Sequence, residues 1–232
     1  KHAVDNELKN ERLKTVLITN VSHDLKTPLT AIISYLDLLE HADEEEEKEY
    51  LEILTKQSQR MKKLIDDLLE MSKVSSKTIP VNKESIDLKL LLNQVVGEYQ
   101  DKYNEKNLDL IMTLSDDIPT IATDPDLMWR VFSNVFSNAY RYSNEGTRVY
   151  VDLLYGDQGV TFSIKNTSFE QLNISSDELM ERFVRGDRSR NTEGSGLGLS
   201  IVGNILEMLE HQYKISIDGD LFKFEIKFDI DA

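Results

Sequence analysis

A histidine near the start of the chain has neighbours that suit phosphoryl chemistry. His23 is followed by Asp24, and Thr27 and Pro28 lie about one helical turn further on. A neutral imidazole nitrogen can attack a phosphorus atom, and the adjacent carboxylate can hold the ring and stabilise its positive charge. The alternative is a plain surface histidine on a charged helix, and these residues alone leave both interpretations open.

Two amides and a guanidinium form a second candidate group. Asn134 and Asn138 are one helical turn apart, and Arg141 continues the same face. Such a face can bind phosphate oxygens and a hydrated Mg²⁺ ion, which takes oxygen ligands and keeps most of its waters. A pair of solvent-facing amides is the simpler alternative.

Glycines precede an apolar helical pattern late in the chain. In Gly194-Ser195-Gly196-Leu197-Gly198 the small residues let the backbone approach an anion closely, and the following helix directs free amides at it. This is the pattern of a phosphate cradle, or otherwise a simple helix entry. The basic stretch just upstream, which contains Arg185, is either a lid that reaches phosphate or a solvated loop.

The elements that position His23 are two helices. Apolar residues recur in alternating steps of four and three at Leu25, Leu29, Ile32, Leu36 and Leu39. A second seam runs from Leu54 to Met71, and an acidic run at 44–47 suits the start of that helix. We expect an antiparallel hairpin that pairs with a second copy in a dimeric four-helix bundle.

Helical and strand periods alternate after this hairpin. Helices are predicted over Ile86–Tyr103, Asp126–Tyr142 and Leu197–Leu209, and strands over Leu108–Leu114, Arg148–Tyr155, Gly159–Lys165, Tyr213–Ile217 and Phe222–Ile230. The pattern predicts an α/β sandwich with a mostly antiparallel sheet and helices on one face. The expected domains are a hairpin at 1–76, a linker at 77–82 and a sandwich at 83–232.

Composition excludes several classes of function. The 232 residues include 42 acidic and 27 basic ones, a formal charge of −15, which disfavours nucleic acid and anionic membranes as partners. The absence of cysteine excludes disulfides, thiolate metal sites and cysteine nucleophiles. No stretch has the roughly 20 apolar residues of a membrane span.

The order and spacing of these motifs resemble the sensor histidine kinases of bacterial two-component systems. The resemblance covers nearly the whole chain, with a dimerisation and phosphotransfer hairpin followed by a GHKL-type ATP-binding domain. It implies that His23 is the phosphoacceptor, that Asp24 orients it, and that Thr27 places water during dephosphorylation of the partner. It also implies a set of residues around Mg-ATP: Asn134, Asn138 as the Mg²⁺ ligand, Arg141, Tyr142, Arg185, Gly194, Gly196, Leu197 and Gly198.

One segment departs from the family pattern. Where the family has D-x-G-x-G, this chain has Asn166-Thr167-Ser168-Phe169-Glu170. Asn166 can still accept a hydrogen bond from the adenine amino group, while its own amide donates to a ring nitrogen. Ser168 and Glu170 disfavour positive φ, so we expect this loop to follow another path.

The resemblance predicts an ATP-dependent protein histidine kinase that passes its phosphoryl group to an aspartate of a response regulator. A scaffold or phosphatase with a degenerate ATP site is one alternative. An ATP-hydrolysing machine of the same superfamily is another, but Asn134 stands where those enzymes have a glutamate as general base. Because the chain begins within a helical pattern, we expect a cytoplasmic portion of a membrane-anchored sensor protein.

Overall fold

The computed structural model describes residues 22, 24–76, 78–157, 159–169, 172 and 197–230. They form two compact units. The first contains the described residues up to Ser72 together with Leu197, and the second contains the other described residues from Lys73 onward. Within these ranges, no helix combines the length and the apolar character needed to cross a lipid bilayer.

The first unit is a helical hairpin. Helix α1 covers residues 24–39, and helix α2 runs over Glu44–Ser75, its last residues belonging to the second unit. Tyr35 and Tyr50 meet across the hairpin with their ring centroids 5.4 Å apart. The expected antiparallel pair is therefore present.

A capping box starts α2. The Asp43 carboxylate accepts from the backbone N–H groups of Glu45 and Glu46 at 3.0 and 2.9 Å, and Glu46 accepts from Asp43 N at 3.1 Å. These contacts satisfy donors that the first turn of a helix leaves free. The acidic run lies at the positive end of the helix dipole, as its position in the sequence predicted.

The apolar seam of α1 is only partly covered. Leu25, Ile32 and Leu39, spaced by seven residues, are half-buried, whereas Leu29 and Leu36 are 43% and 50% exposed. Residues seven apart lie on the same side of a helix. One side of the seam is thus covered within the chain and the other is open.

The second unit contains a five-stranded sheet and a small two-stranded one. The large sheet has the order β2-β4-β5-β7-β6, in which β2 and β4 are parallel and the other pairs antiparallel, and β1 pairs with β3 in the small sheet. The strands are β1 Glu84–Ile86, β2 Asp109–Leu114, β3 Ile121–Thr123, β4 Arg148–Gly156, β5 Gly159–Thr167, β6 Gln212–Asp218 and β7 Leu221–Phe228.

Three helices cover the core side of this sheet: α3 Leu88–Glu105, α4 Pro125–Tyr142 and α5 Gly198–Leu209. Every second residue of the inner strands is buried, as in Val149, Val151 and Leu153 of β4. Phe132 of α4 packs on Phe162 of β5 at 4.7 Å between ring centroids. This two-layer arrangement confirms the predicted α/β sandwich.

Two local predictions differ from the structure. Ile86 was predicted as helical but belongs to β1, because Asp87 caps α3 by accepting from Lys89 N and Leu90 N. The β1–β3 sheet was not predicted, since each strand has only three residues. Short strands carry too little periodicity to be recognised.

Candidate functional site

Helix α4 begins at a strong cap and presents a polar face in its second half. Asp124 accepts from Leu127 N at 3.0 Å, and Pro125 occupies the first turn, where its missing N–H costs nothing. One side of the helix, including Val131, Val135 and Phe136, is buried in the core. The other side therefore carries the polar residues of the N-x-x-x-N motif.

Asn134 lies against the first turn of α5. Its Nδ2 donates to Arg130 O at 2.9 Å, which leaves Oδ1 facing the neighbouring helix. A Cβ atom placed on Gly198 would lie 3.1 Å from that oxygen. The glycine thus allows the close approach that joins two segments of the predicted phosphate site.

Asn138 and Arg141 extend this face toward the end of α4. Both side chains are half-buried, and neither makes a hydrogen bond or an ion pair within the described part of the chain. A half-buried guanidinium without a counter-charge suits an anionic ligand. The amide oxygen of Asn138 is equally available to a ligand.

Asn166 ends the buried row of β5. It follows Val160, Phe162 and Ile164 on the core side of the strand and is only 2% exposed. Its Nδ2 is buried and has no hydrogen-bond partner among the residues that the structure describes. A buried donor without a partner is destabilising by about 1–3 kcal/mol, so this amide is suited to a ligand edge.

The chain beyond Asn166 continues as an extended strand. Ser168 forms an isolated antiparallel bridge with Ser143, and Phe169 N donates to Tyr142 O at 3.0 Å. Ser168 is not among the residues with positive φ. The loop thus takes another path than a glycine turn, as expected for Ser168, while Glu170 lies outside the described residues.

Lys106 caps the C-terminal end of α4. Lys106 Nζ donates to Tyr140 O at 2.9 Å and to Arg141 O at 3.0 Å, and burial lowers its pKa against the opposing effect of Glu145. A cation at the carbonyl end of a helix stabilises its last turn. The sequence pattern does not indicate this contact, because 34 positions separate Lys106 from Tyr140 and no motif connects them.

Tyr142 stacks on an aromatic residue that sequence analysis did not assign. The Tyr142 and Phe169 rings are 6.3 Å apart and nearly parallel, with an interplanar angle of 3°. Lys106 Nζ lies 5.8 Å from the centre of the Phe169 ring. The end of α4 and the segment after β5 are therefore fixed to each other, which places Arg141 and Asn166 in one region of the second unit.

His211 takes part in a pairing between distant segments that no motif in the sequence indicates. It is half-buried: its ring packs edge-on against Phe228 at 4.9 Å, and Nε2 lies 3.0 Å from Thr123 Oγ1. Burial is the main cause of a lowered pKa, with a further contribution from Lys83. The spacing of 88 residues between the two partners gave no signal in the sequence.

Residues 24–28, which follow the predicted phosphoacceptor His23 in the sequence, lie in the first unit. Thr27 and Lys26 are exposed on α1, Asp24 is half-buried and Pro28 is buried. Four predicted site residues, His23, Arg185, Gly194 and Gly196, lie outside the described residues. Leu197, the last loop residue before α5, is 5% exposed.

Two known protein families match segments of this chain. Residues 13–77 match the family "His Kinase A (phospho-acceptor) domain". Residues 123–231 match the family "Histidine kinase-, DNA gyrase B-, and HSP90-like ATPase". The two matches include the His23 segment and the helices and strands around Asn138 and Asn166.

Sensor protein kinases are among the curated proteins that match this chain. The sensor protein kinase WalK of Staphylococcus aureus is 34% identical over 219 residues, a match that covers 89% of this chain and 51% of that protein. In WalK from strain USA300 the same match covers 35% of the protein, so the chain spans between a third and about half of these curated relatives.

Two solved structures share the fold. Histidine kinase ThkA in complex with the response regulator protein TrrA superimposes with a TM-score of 0.73 at 21% identity, covering 97% of this chain and 66% of that one. Full-length ShkA in complex with AMPPNP gives 0.64 at 24% identity, covering 96% and 46%. From its two matched families, its relatives and its fold, the chain belongs to the sensor histidine kinases.

Proposed function

We propose that this chain is the kinase core of a sensor protein, which transfers the γ-phosphoryl group of ATP to His23 and then to an aspartate of a response regulator. The observation that carries the proposal is the group of Asn138, Arg141 and Asn166 in one region of the ATPase-type unit: among the described residues, the first two side chains and the Nδ2 atom of Asn166 have no hydrogen-bond partner. The phospho-acceptor family match over 13–77 supports His23 as the acceptor.

In this proposal the second unit binds the nucleotide. Asn166 contacts the base, while Arg141 and Tyr142 lie near the phosphates. Asn134 and Gly198 lie beside each other at the start of α5 and would face the phosphates. Leu197 precedes Gly198 in the sequence, and we propose that it serves the phosphates together with Gly194, Gly196 and Arg185. The AMPPNP bound to ShkA, a protein of the same fold, supports a nucleotide at this kind of site.

Asn138 fits a magnesium ligand by its chemistry. Its side chain is half-buried and makes no hydrogen bond within the described part of the chain, and Mg²⁺ in nucleotide sites is held by one or two protein oxygens together with substrate phosphates. When bound, the ion would neutralise charge on the phosphates. We propose that Asn138 holds it there, with Asn134 beside it.

In the proposed phosphoryl transfer, His23 is the nucleophile and ADP is the leaving group. A lone pair on an imidazole nitrogen of His23 forms the P–N bond while the bond from the γ-phosphorus to the bridging oxygen breaks, and ADP leaves with those electrons. Asp24 accepts a hydrogen bond from the other ring nitrogen and stabilises the positive imidazole. Catalysis then depends mainly on positioning and charge neutralisation.

The test is incorporation of labelled γ-phosphate from Mg-ATP. We expect acid-labile label on the purified chain, none on His23→Gln, and full label on His41→Gln, a control at an exposed histidine of the same hairpin. Label that persists in His23→Gln would overturn the assignment of the acceptor. No label on any form, despite bound nucleotide, would favour the scaffold or phosphatase alternative.

The partners follow from the same assignment. The complex of ThkA, a protein of this fold, with the response regulator protein TrrA supports a response regulator as partner. We propose that its receiver domain docks on the helical hairpin. A second copy of the chain would cover Leu29 and Leu36, the open side of the α1 seam. The net charge of −15 disfavours nucleic acid as a partner. We further propose that the parent protein is membrane-anchored and that this core lies in the cytoplasm.

A further inference from the structure

Asn166 differs from the other buried polar side chains of the second unit. Thr123 lies 3.0 Å from His211, Asp124 caps α4 through Leu127 N at 3.0 Å, and Ser163 donates to Asp152 at 3.1 Å. Asn166 is buried to a similar extent, yet its Nδ2 has no hydrogen-bond partner in the described part of the chain. Because buried polar groups are paired in the great majority of cases, an unpaired one calls for a ligand with a complementary edge.

The Asn166 side chain lies on the side of β5 that faces the helices, and not on the side that faces solvent. Asn166 lies on the core side of β5, where Val160, Phe162 and Ile164 precede it. Two residues later the strand bridges to Ser143, just after α4. The amide therefore lies beside the last turns of the helix that carries Asn138 and Arg141.

A side-chain amide presents one donor and one acceptor side by side. The edge of adenine offers an amino donor next to a ring-nitrogen acceptor, and the edge of guanine offers a carbonyl acceptor next to an N–H donor. Turning the amide by half a rotation exchanges its two groups. No partner within the described residues fixes Asn166 in one of these orientations.

We infer that this site accepts guanine nucleotides as well as adenine nucleotides, and that Asn166 is the residue that sets its selectivity. The inference rests on the proposed function, since it takes the nucleotide base to contact Asn166. A carboxylate at this position would offer acceptors only: it suits the adenine amino group, whereas the guanine carbonyl that contacts Asn166 Nδ2 in the proposed pairing would lose its donor and face a negative charge. Asn166→Asp is therefore the most discriminating variant, because it removes the hydrogen-bond donor of the side chain and hardly changes the size and shape of that side chain.

The experiment measures binding of ADP and of GDP, each with Mg²⁺, to the whole chain by titration calorimetry. We expect dissociation constants for the two nucleotides that agree within about tenfold. In Asn166→Asp we expect ADP binding to persist and GDP binding to weaken on the order of 10- to 100-fold, the value of one base-edge contact pair. Thr161→Ala, on the opposite face of β5, is the control and should change neither.

The possible outcomes distinguish a failure of this inference from a failure of the proposed function. If the unchanged chain binds ADP but binds GDP over about 100-fold more weakly, the inference is wrong and the proposed nucleotide site stands. If neither nucleotide binds, both are wrong. If Asn166→Asp keeps the original ratio, Asn166 does not set selectivity.

A second variant covers the case in which the buried carboxylate prevents folding. Asn166→Leu continues the apolar row of β5 and removes both the donor and the acceptor, and thermal melting reports whether the variant folds. We expect it to weaken ADP and GDP by similar factors, on the order of tenfold. Unchanged binding of both nucleotides would overturn the role of the amide.

Discussion

Two threonines of α1 have different hydroxyl environments, although both are exposed. Thr30 Oγ1 donates to Lys26 O at 2.8 Å, one turn back in the helix. The Thr27 hydroxyl makes no hydrogen bond within the described part of the chain. Thr27 is therefore able to hold a water molecule, whereas the Thr30 hydroxyl is engaged with the backbone.

This difference predicts separate effects on the two activities proposed for the hairpin. Thr27→Ala should slow dephosphorylation of the phosphorylated regulator by on the order of tenfold or more, as expected when a water-positioning group is lost. Autophosphorylation of His23 should change little. Thr30→Ala is the matched control and should spare both, and an equal loss of both activities in Thr27→Ala would contradict the assignment.

The environment of His211 predicts a dependence of stability on pH. Burial lowers its pKa below the ordinary value of 6.5, with Lys83 acting in the same direction and Asp229 and Glu210 opposing. Below pH 6.5 the unfolded chain binds a proton more readily than the folded one. The contribution of His211 is therefore complete above pH 6.5 and declines as pH falls toward the folded pKa.

Urea unfolding at pH 7.5 and 5.5 checks this dependence. The urea concentration at the midpoint of unfolding should be lower at pH 5.5 than at pH 7.5. The decrease should be smaller in His211→Gln, because glutamine keeps a polar partner for Thr123 but does not titrate. His41→Gln, at an exposed position, should behave as the unchanged chain does. An identical fall in His211→Gln would show that other groups cause it.

At the scale of elements, Lys106 connects the end of α3 to the end of α4. The lysine follows α3 directly, and its ammonium group binds the carbonyls of Tyr140 and Arg141. Removing it would leave the last turn of α4 without this cap, and Arg141 and Tyr142 belong to that turn. A change outside the proposed nucleotide site should therefore weaken nucleotide binding.

We expect Lys106→Met to lower the free energy of unfolding by about 1 kcal/mol and to speed amide exchange in the last turn of α4. Binding of Mg-ADP should weaken several-fold, because Arg141 loses its fixed position. Lys102→Met is the control: its ammonium group lies 4.7 Å from the Tyr99 ring, away from the α4 carbonyls. Equal effects of both variants would show a general loss of charge instead.

The elements differ in how far the sequence predicts them. Helix α4 and strands β4 and β5 have long, regular patterns, and their predicted ranges agree with the structure to within two residues. The spacing of Asn134 and Asn138 likewise places them on one face. The Lys106 contact, the Tyr142–Phe169 stack and the Thr123–His211 pair join distant segments, and only the folded chain brings such residues together.

At the scale of the whole molecule, a stripe of exposed leucine and isoleucine side chains on α1 requires an explanation. Leu29, Ile33 and Leu36 are 43%, 53% and 50% exposed and follow each other at helical spacing. Burying one leucine side chain is worth about 1.5–3 kcal/mol, and a symmetric dimer buries each residue twice. A second copy of the hairpin would therefore gain considerable stability from this stripe.

Replacing one leucine of the stripe by glutamate tests the dimer. Leu36→Glu places a charge at the centre of the proposed interface in both copies, so we expect the dissociation constant to rise by a factor of 100 or more, on the order of the two lost burials. Sedimentation velocity across a range of concentrations measures the change. Leu90→Glu is the matched control, since Leu90 is 59% exposed on α3 in the second unit.

The two variants separate a specific interface from general hydrophobic association. If Leu36→Glu is monomeric and Leu90→Glu remains dimeric, the open side of the α1 seam is the dimer surface. Dissociation by both variants would indicate non-specific association through exposed leucines. A chain that is already monomeric before substitution, at concentrations of tens of micromolar, would contradict the four-helix bundle, and the exposed stripe would then have to face another partner.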